Sequence, residues 1–276
     1  MVPEQVRLIV NLALAEDVGP GDLTTGLTVD PATISRAGIT AKQDLVLAGL
    51  LPAGLAFELV DPRVVFKPLA RDGDRIATGQ TVVEIEGPAV SILTAERVAL
   101  NFMMRLSGVA TMTSRFVAAV KNHQVRIVDT RKTTPGQRVL EKAAVRSGGG
   151  HNHRCGLYDG ILIKDNHIAA AGSITAAVSR ARQGAPHTLK VEVEVEDLAG
   201  LEEAIRAGAD IVLLDNMALE TLGRAVEVAA GRVLLEASGG VNLETVAAIA
   251  ATGVNLISVG GLTHSAPAVD LSLNFL

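Results

Sequence analysis

Residues 190–216, KVEVEVEDLAGLEEAIRAGADIVLLDN, read as strand, helix, strand. Strict alternation puts Val191, Val193 and Val195 on one face of the first strand and Lys190, Glu192, Glu194 and Glu196 on the other. The apolar spacing of LAGLEEAIRAGA suits a 3.6-residue period, and DIVLLDN is a continuous apolar run with polar ends. Strand and helix alternating at this interval mean a parallel sheet, here expected to close towards a βα barrel. The unit recurs outward on both sides, at VRIVDT (125–130), GILIKDN (160–166), VLLEASGG (233–240) and NLISVGG (255–261), with alanine-rich patterns such as LETVAAIAATG between the later runs. That makes six strands; a seventh or eighth, expected inside 141–152, is not legible from pattern.

The residues before this region follow a different grammar. An amphipathic opening helix, interrupted by Arg7, Asn11, Glu16 and Asp17, has neither a basic leader nor a small-residue cleavage site. Short β-like runs follow at 34–42, 45–50, 64–69 and 81–87, separated by Asp/Gly/Pro turns. The stretch DGDRIATGQTVVEIEG (72–87) resembles the turns of lipoyl and biotinyl carrier domains, but it lacks the lysine that a swinging-arm carrier needs at its hairpin tip. A helical section, 90–122, carries Leu93, Val98, Leu100, Phe102, Met103, Leu106, Val109 and Met112 at helical spacing and is expected to break near Gly108. The expected division is an N-terminal α/β domain over residues 1–110, which 266–276 rejoin, and a barrel over 111–265, with the boundary set to within about ten residues.

Composition narrows the function. A net charge of −5 and 2% aromatics, with no Trp and only Tyr158, exclude a protein that coats nucleic acid or an anionic membrane. No run approaches the ~20 apolar residues of a membrane span. The lone Cys155 excludes an intramolecular disulfide framework and a multi-cysteine zinc site, and it fits a cytoplasmic location.

Chemistry in a βα barrel sits at the C-terminal ends of the strands. Here those ends carry Asp129-Thr130-Arg131-Lys132, Lys164-Asp165-Asn166-His167, Glu192 and Glu194, Asp215-Asn216, Glu236 with Ser238-Gly239-Gly240, and Gly260-Gly261. Carboxylates on a lumenal face need partners, so Glu192 and Glu194 belong either to a structural ion-pair network or to a binding site. Basic groups crowd between 131 and 164: Arg131, Lys132, Arg138, Lys142, Arg146, Arg154 and Lys164. Guanidinium forks recognise carboxylate and phosphate in two-point geometry, which predicts a small, multiply anionic substrate. Arg138, Lys142 and Arg146, spaced four apart, read equally well as a solvated helix face. The SGG and GG turns after the last two strands suit a phosphate held on backbone N–H groups. His151, His153 and His167 lack the spacing of a zinc centre, Cys155 reads as a small packed residue, Ser238 has no nucleophile elbow, and Met103-Met104 read as core.

The segment DTRKTTPGQRVLEKAAVRSGGGHNHRCGLYDGILIKDNHI (129–168), with EDVGPGDLTT (16–25), TAER (94–97), EVEVE (192–196), LLDN (213–216), LEASGG (235–240) and SVGGLTHS (258–265), resembles the quinolinate phosphoribosyltransferase family over nearly the whole chain. The resemblance implies an N-terminal α/β sandwich domain followed by an open, incomplete parallel βα barrel, assembled as a homodimer or larger oligomer. It implies that quinolinate and 5-phosphoribosyl 1-diphosphate become nicotinate mononucleotide, diphosphate and CO₂, with Mg²⁺ held mainly through the diphosphate and no dedicated protein metal site. On matching motif positions, quinolinate would meet Thr130, Arg131, His153, Arg154 and Lys164, completed by Arg97 from the partner subunit. The phosphoribosyl donor would meet Lys132, Glu194 and Asp215, with its phosphate on Ser238, Gly239, Gly240, Val259, Gly260 and Gly261. Lys132, Lys164, Glu194 and Asp215 would be the catalytic set, either lysine serving the decarboxylation. Three rivals stand beside this reading: a paralogue associated with molybdate transport, a nicotinate phosphoribosyltransferase that does not decarboxylate, and a non-catalytic barrel binding a phosphorylated metabolite. A mere anion binder has no reason to place Glu194 and Asp215 beside a phosphate pocket.

Overall fold

The glycine-, aspartate- and serine-bounded apolar runs become short strands in the computed structural model, which describes residues 3–276. In chain order the elements are α1 (Pro3–Val18), α2 (Leu23–Thr28), β1 (Ile34–Ala41), β2 (Leu45–Val46), α3 (Leu50–Val60), β3 (Val65–Pro68), β4 (Arg75–Ile76), β5 (Thr81–Pro88), α4 (Ala89–Ala119), β6 (Arg126–Val128), α5 (Arg138–Ser147), β7 (Ile161–Ile163), α6 (Asp165–Ala171), α7 (Ile174–Gly184), β8 (Val191–Val195), α8 (Leu198–Ala207), β9 (Ile211–Asp215), α9 (Leu219–Ala229), β10 (Leu234–Ser238), α10 (Val246–Ala251), β11 (Leu256–Ser258), α11 (Gly261–His264) and β12 (Leu271–Phe275). They fall into two units: residues up to 114 with 133–149 and 265–276, and residues 115–132 with 150–264.

The first unit is an α/β sandwich on an antiparallel sheet of order β12-β1-β5-β3. Its register pairs Ile39 with Leu273 and Val83, so the C-terminal residues supply an edge strand. Ala37, Ile39, Val83 and Ile85 are buried, and Phe57 of α3 stacks on Phe66 of β3 with ring centroids 5.7 Å apart. The helix α4 runs unbroken through Gly108, contrary to the expected break. A Cβ on Gly108 would lie 2.1 Å from the carbonyl oxygen of Pro267, so the glycine admits a close backbone crossing. Residues 133–149 cluster here as well, and not with the barrel as expected. The helix α5 buries Leu140, Glu141, Lys142, Ala144 and Val145, so of the three basic residues Lys142 leaves the solvated face, while Arg138 is half-buried and Arg146 exposed. Glu141, fully buried, accepts from Arg105 Nη2 at 2.7 Å, from the Thr134 N–H at 3.0 Å and from Thr134 Oγ1 at 2.8 Å.

The second unit is an open parallel barrel with strand order β6-β11-β10-β9-β8-β7. The edges are β6 and β7, consecutive in the chain, which leaves a seam between them. No seventh strand forms in 141–152; α5 takes most of that stretch, and a one-residue parallel bridge joins His151 to Val128. Val191, Val193 and Val195 are buried, and the alternating Glu192 and Glu194 occupy the opposite face of β8, Glu192 buried and Glu194 partly so. Lys190 and Glu196, expected on that charged face too, lie at its exposed ends.

Candidate active site

Asp129, at the end of β6, is fully buried and organises the first side of the site. Its two oxygens accept from the His153 N–H at 2.8 Å and from Asn152 Nδ2 at 2.6 Å, which ties the segment after the His151 bridge to the strand end. Thr130 Oγ1 accepts the Lys132 N–H at 3.0 Å, and Thr263 Oγ1 donates to the Lys132 carbonyl at 2.8 Å. A Cβ on Gly260 would stand 3.2 Å from Lys132 Cδ, so the lysine stem lies against that glycine.

Arg154 sits across the seam and donates from Nη1 to the Gly160 carbonyl at 3.1 Å, just before β7. Burial, and next the charge of Arg131, pull its guanidinium below the usual arginine range. A partly buried guanidinium beside the like charge of exposed Arg131 forms a site that an anion would relieve. Lys164 caps the start of α6, where its N–H donates to His167 Nδ1 at 2.9 Å; its ammonium pairs with Glu194.

On the closed side, Asn216 adopts φ +53° and its N–H donates to the Ser238 carbonyl at 2.9 Å. Its Nδ2 donates to Asp215 Oδ2 at 2.8 Å. The turn after β10 passes so close that a Cβ on Gly239 would meet Asn216 Oδ1 at 2.1 Å, and Gly239 itself has φ +95°. One small residue thus carries the chain across the end of β9.

These strand ends enclose a cavity of about 390 Å³, lined by Thr130, Arg131, Lys132, His153, Arg154, Lys164, Glu194, Asp215, Ser238, Gly239 and Gly240 among others. The cations come from the two sides of the seam, and the carboxylates and the glycine turn from the closed sheet opposite. Val259, Gly260 and Gly261 are not among the lining residues; Val259 is buried and its N–H donates to the Val128 carbonyl at 2.9 Å. Arg97 lies exposed on α4 in the first unit. Asn216 and Glu236 are not among the expected site residues, yet both line the cavity. Alternation along VLLEASGG, which puts Glu236 on the same face as Ser238, is the signal that could have found the second.

Beneath the cations, His153 Nε2 stands 3.0 Å from Glu192 Oε2 and 3.8 Å from Glu236 Oε1. Both glutamates are buried, and Oε1 of each makes no hydrogen bond among the described residues. Burial, then the charge of Glu192, push the Glu236 carboxyl up to about 7, against an opposing pull from His153.

Fold and site together define a βα-barrel protein whose strand ends bring cations, two carboxylates and a glycine turn to one cavity. Residues 22–107 match the N-terminal domain, and residues 109–274 the C-terminal domain, of quinolinate phosphoribosyl transferase, and the chain belongs to that family. It is 46% identical over 270 residues to a probable carboxylating nicotinate-nucleotide pyrophosphorylase of Bacillus subtilis, covering 98% of this chain and 93% of that one. It is 41% identical over 279 residues to the carboxylating nicotinate-nucleotide pyrophosphorylase of Mycobacterium leprae, covering 98% and 97%. The solved structure of the nicotinate-nucleotide pyrophosphorylase from Francisella tularensis superposes with a TM-score of 0.97 at 41% identity, over 100% of this chain and 98% of that one. No helix among the described residues is long and apolar enough to cross a membrane.

Proposed function

We propose that this chain is a decarboxylating quinolinate phosphoribosyltransferase, joining quinolinate to 5-phosphoribosyl 1-diphosphate to give nicotinate mononucleotide, diphosphate and CO₂ in de novo NAD biosynthesis. The observation that carries this reading is the one cavity in which seam cations face Glu194, Asp215 and a glycine turn. Arg131, Arg154 and Lys164, with Thr130 and His153 beside them, hold the two ring carboxylates and aim the ring nitrogen at the sugar. Lys132 and the N–H groups around Ser238, Gly239 and Gly240 take phosphate oxygens, with Val259, Gly260 and Gly261 shaping the neighbouring strand end. As diphosphate leaves, positive charge develops on the ribose, and Glu194 and Asp215 stabilise it electrostatically without acting as nucleophiles.

Once the nitrogen carries the ribose, the cationic ring accepts the electron pair of the breaking carbon–carboxylate bond. Lys164 or Lys132 then steadies the negative charge on the ring carbon, which takes up a proton in place of the lost carboxylate to give the mononucleotide. The lysine–glutamate pair of Lys164 and Glu194 links the two halves of the site. Glu194 and Asp215, as oxygen donors on the cavity wall, would suit a Mg²⁺ brought in with the diphosphate. When bound, Mg²⁺ offsets the charge of the leaving diphosphate. The working unit is a homodimer or larger oligomer in which Arg97 completes the partner's quinolinate pocket.

The test is incubation of purified protein with Mg²⁺, phosphoribosyl diphosphate and carboxyl-labelled quinolinate, following CO₂ and mononucleotide together, with nicotinate in parallel. Stoichiometric CO₂ and mononucleotide from quinolinate alone are expected. Silence on quinolinate from folded protein overturns the reading.

A further inference from the structure

The mechanism above leaves the floor of the cavity unused. We infer that Glu236 is a positioning residue for the anion pocket: as the neutral acid beside Glu192 it keeps His153 in its Nε2–H form, and so holds the Arg154 main chain in place. His153 shows how. Its Nδ1 accepts the Arg154 N–H at 2.7 Å, so that nitrogen carries no proton. The ring proton therefore sits on Nε2, where Glu192 Oε2 accepts it at 3.0 Å and Glu236 Oε1 lies 3.8 Å away. With both nitrogens committed to the chain, His153 serves substrate through Arg154 rather than by its own hydrogen bond.

One N–H cannot satisfy two buried carboxylates. Even with the Ser258 hydroxyl beside Glu236, two ionised groups around one imidazole N–H, out of water, are strongly disfavoured, and burial with the neighbouring charge favours the neutral form of Glu236. The charged groups around Glu236 tip the same way: Glu192 comes from β8 and Asp129 from the end of β6, with His153 as the opposing group. Arg126, Arg154 and Lys190 line a second space of about 260 Å³ that reaches Glu236 and Glu192 from the opposite ends of the strands.

The three donor atoms also lie within 4.8 Å of one another, a spacing that a divalent metal could use. A metal takes the lone pair of a deprotonated imidazole nitrogen, and the Arg154 N–H already claims the one available. The proton is the occupant that the hydrogen bonds allow.

Ionising Glu236 would add a second negative charge beneath an anionic substrate. Glu236→Gln, neutral at every pH and nearly isosteric, separates that effect from the rest of the protein. Its KM for quinolinate should match wild type near pH 6 and be roughly fivefold lower near pH 8.5. The KM for phosphoribosyl diphosphate should show no such divergence. The kinetic arm rests on the proposed activity; an infrared pH titration of substrate-free protein does not. It should show the carbonyl band of a buried protonated carboxyl in wild type at about pH 6, fading through neutrality and missing from Glu236→Gln. Glu236→Met serves the same comparison if the glutamine variant does not fold. Absence of the band from wild type, parallel quinolinate profiles for the two proteins, or stoichiometric zinc or manganese in purified wild type and not in the variant would overturn the inference.

Discussion

At Gly239 the chain tolerates no side chain. A Cβ there would strike Asn216 Oδ1 at 2.1 Å and approach the Asn216 backbone nitrogen at 2.9 Å, on a residue whose φ is +95°. Gly239→Ala should therefore raise the KM for phosphoribosyl diphosphate at least about tenfold and cost roughly 1–3 kcal/mol of stability. Gly240→Ala faces open space at φ +60° and should cost about 1 kcal/mol with a smaller change in KM. Steady-state kinetics with thermal unfolding check the pair, and equal effects would remove Asn216 from the account. Glu236 carries a different prediction. Its carboxyl titrates higher folded than unfolded, so its stabilising effect is complete below about pH 4.5 and is lost as the pH rises through about 7. Glu236→Gln should match wild-type stability near pH 5 and exceed it by up to about 3 kcal/mol above about pH 8, read by urea unfolding across pH.

The helix α4 shows why a local rule can mislead. Glycine inside a helix costs about 1 kcal/mol relative to alanine, so Gly108 reads as a break and Gly108→Ala as a stabilising change. The backbone of Pro267 and Ala268 crosses at that point, within 2.1–3.1 Å of where the new Cβ would sit. Overpacking by that much should make Gly108→Ala destabilising by roughly 1–3 kcal/mol; a higher melting temperature would refute the crossing. The same limit applies to α5. Its basic residues have the spacing of a solvated face, but Glu141 and Lys142 are both buried, with Arg105 and Thr134 on Glu141. Pattern reports which side chains share a face, and burial depends on what the rest of the chain packs there.

At the scale of the whole molecule, the proposed site draws on two subunits. Arg131→Ala should weaken quinolinate binding more than tenfold, since a charge-assisted bidentate pair contributes roughly 1.5–3 kcal/mol. Arg97→Ala, in the first unit, should likewise weaken quinolinate binding on its own. Mixing the two variants should restore part of the activity, because one hybrid site then carries both arginines. No recovery, with subunit exchange verified, would refute the shared site.

The sequence by itself determined the alternation of strand and helix from Val125 onward, the six barrel strands, and the charged and glycine residues at their ends. Those features rest on periodicity and turn chemistry within about thirty residues. It also carried the family, through motifs whose spacing is local. Tertiary structure alone decided that 133–149 leave the barrel for the first unit, that the cations gather across an open seam, and that His153, Glu192 and Glu236 meet. Each of these depends on distance and burial between residues far apart in the chain, which no local pattern encodes.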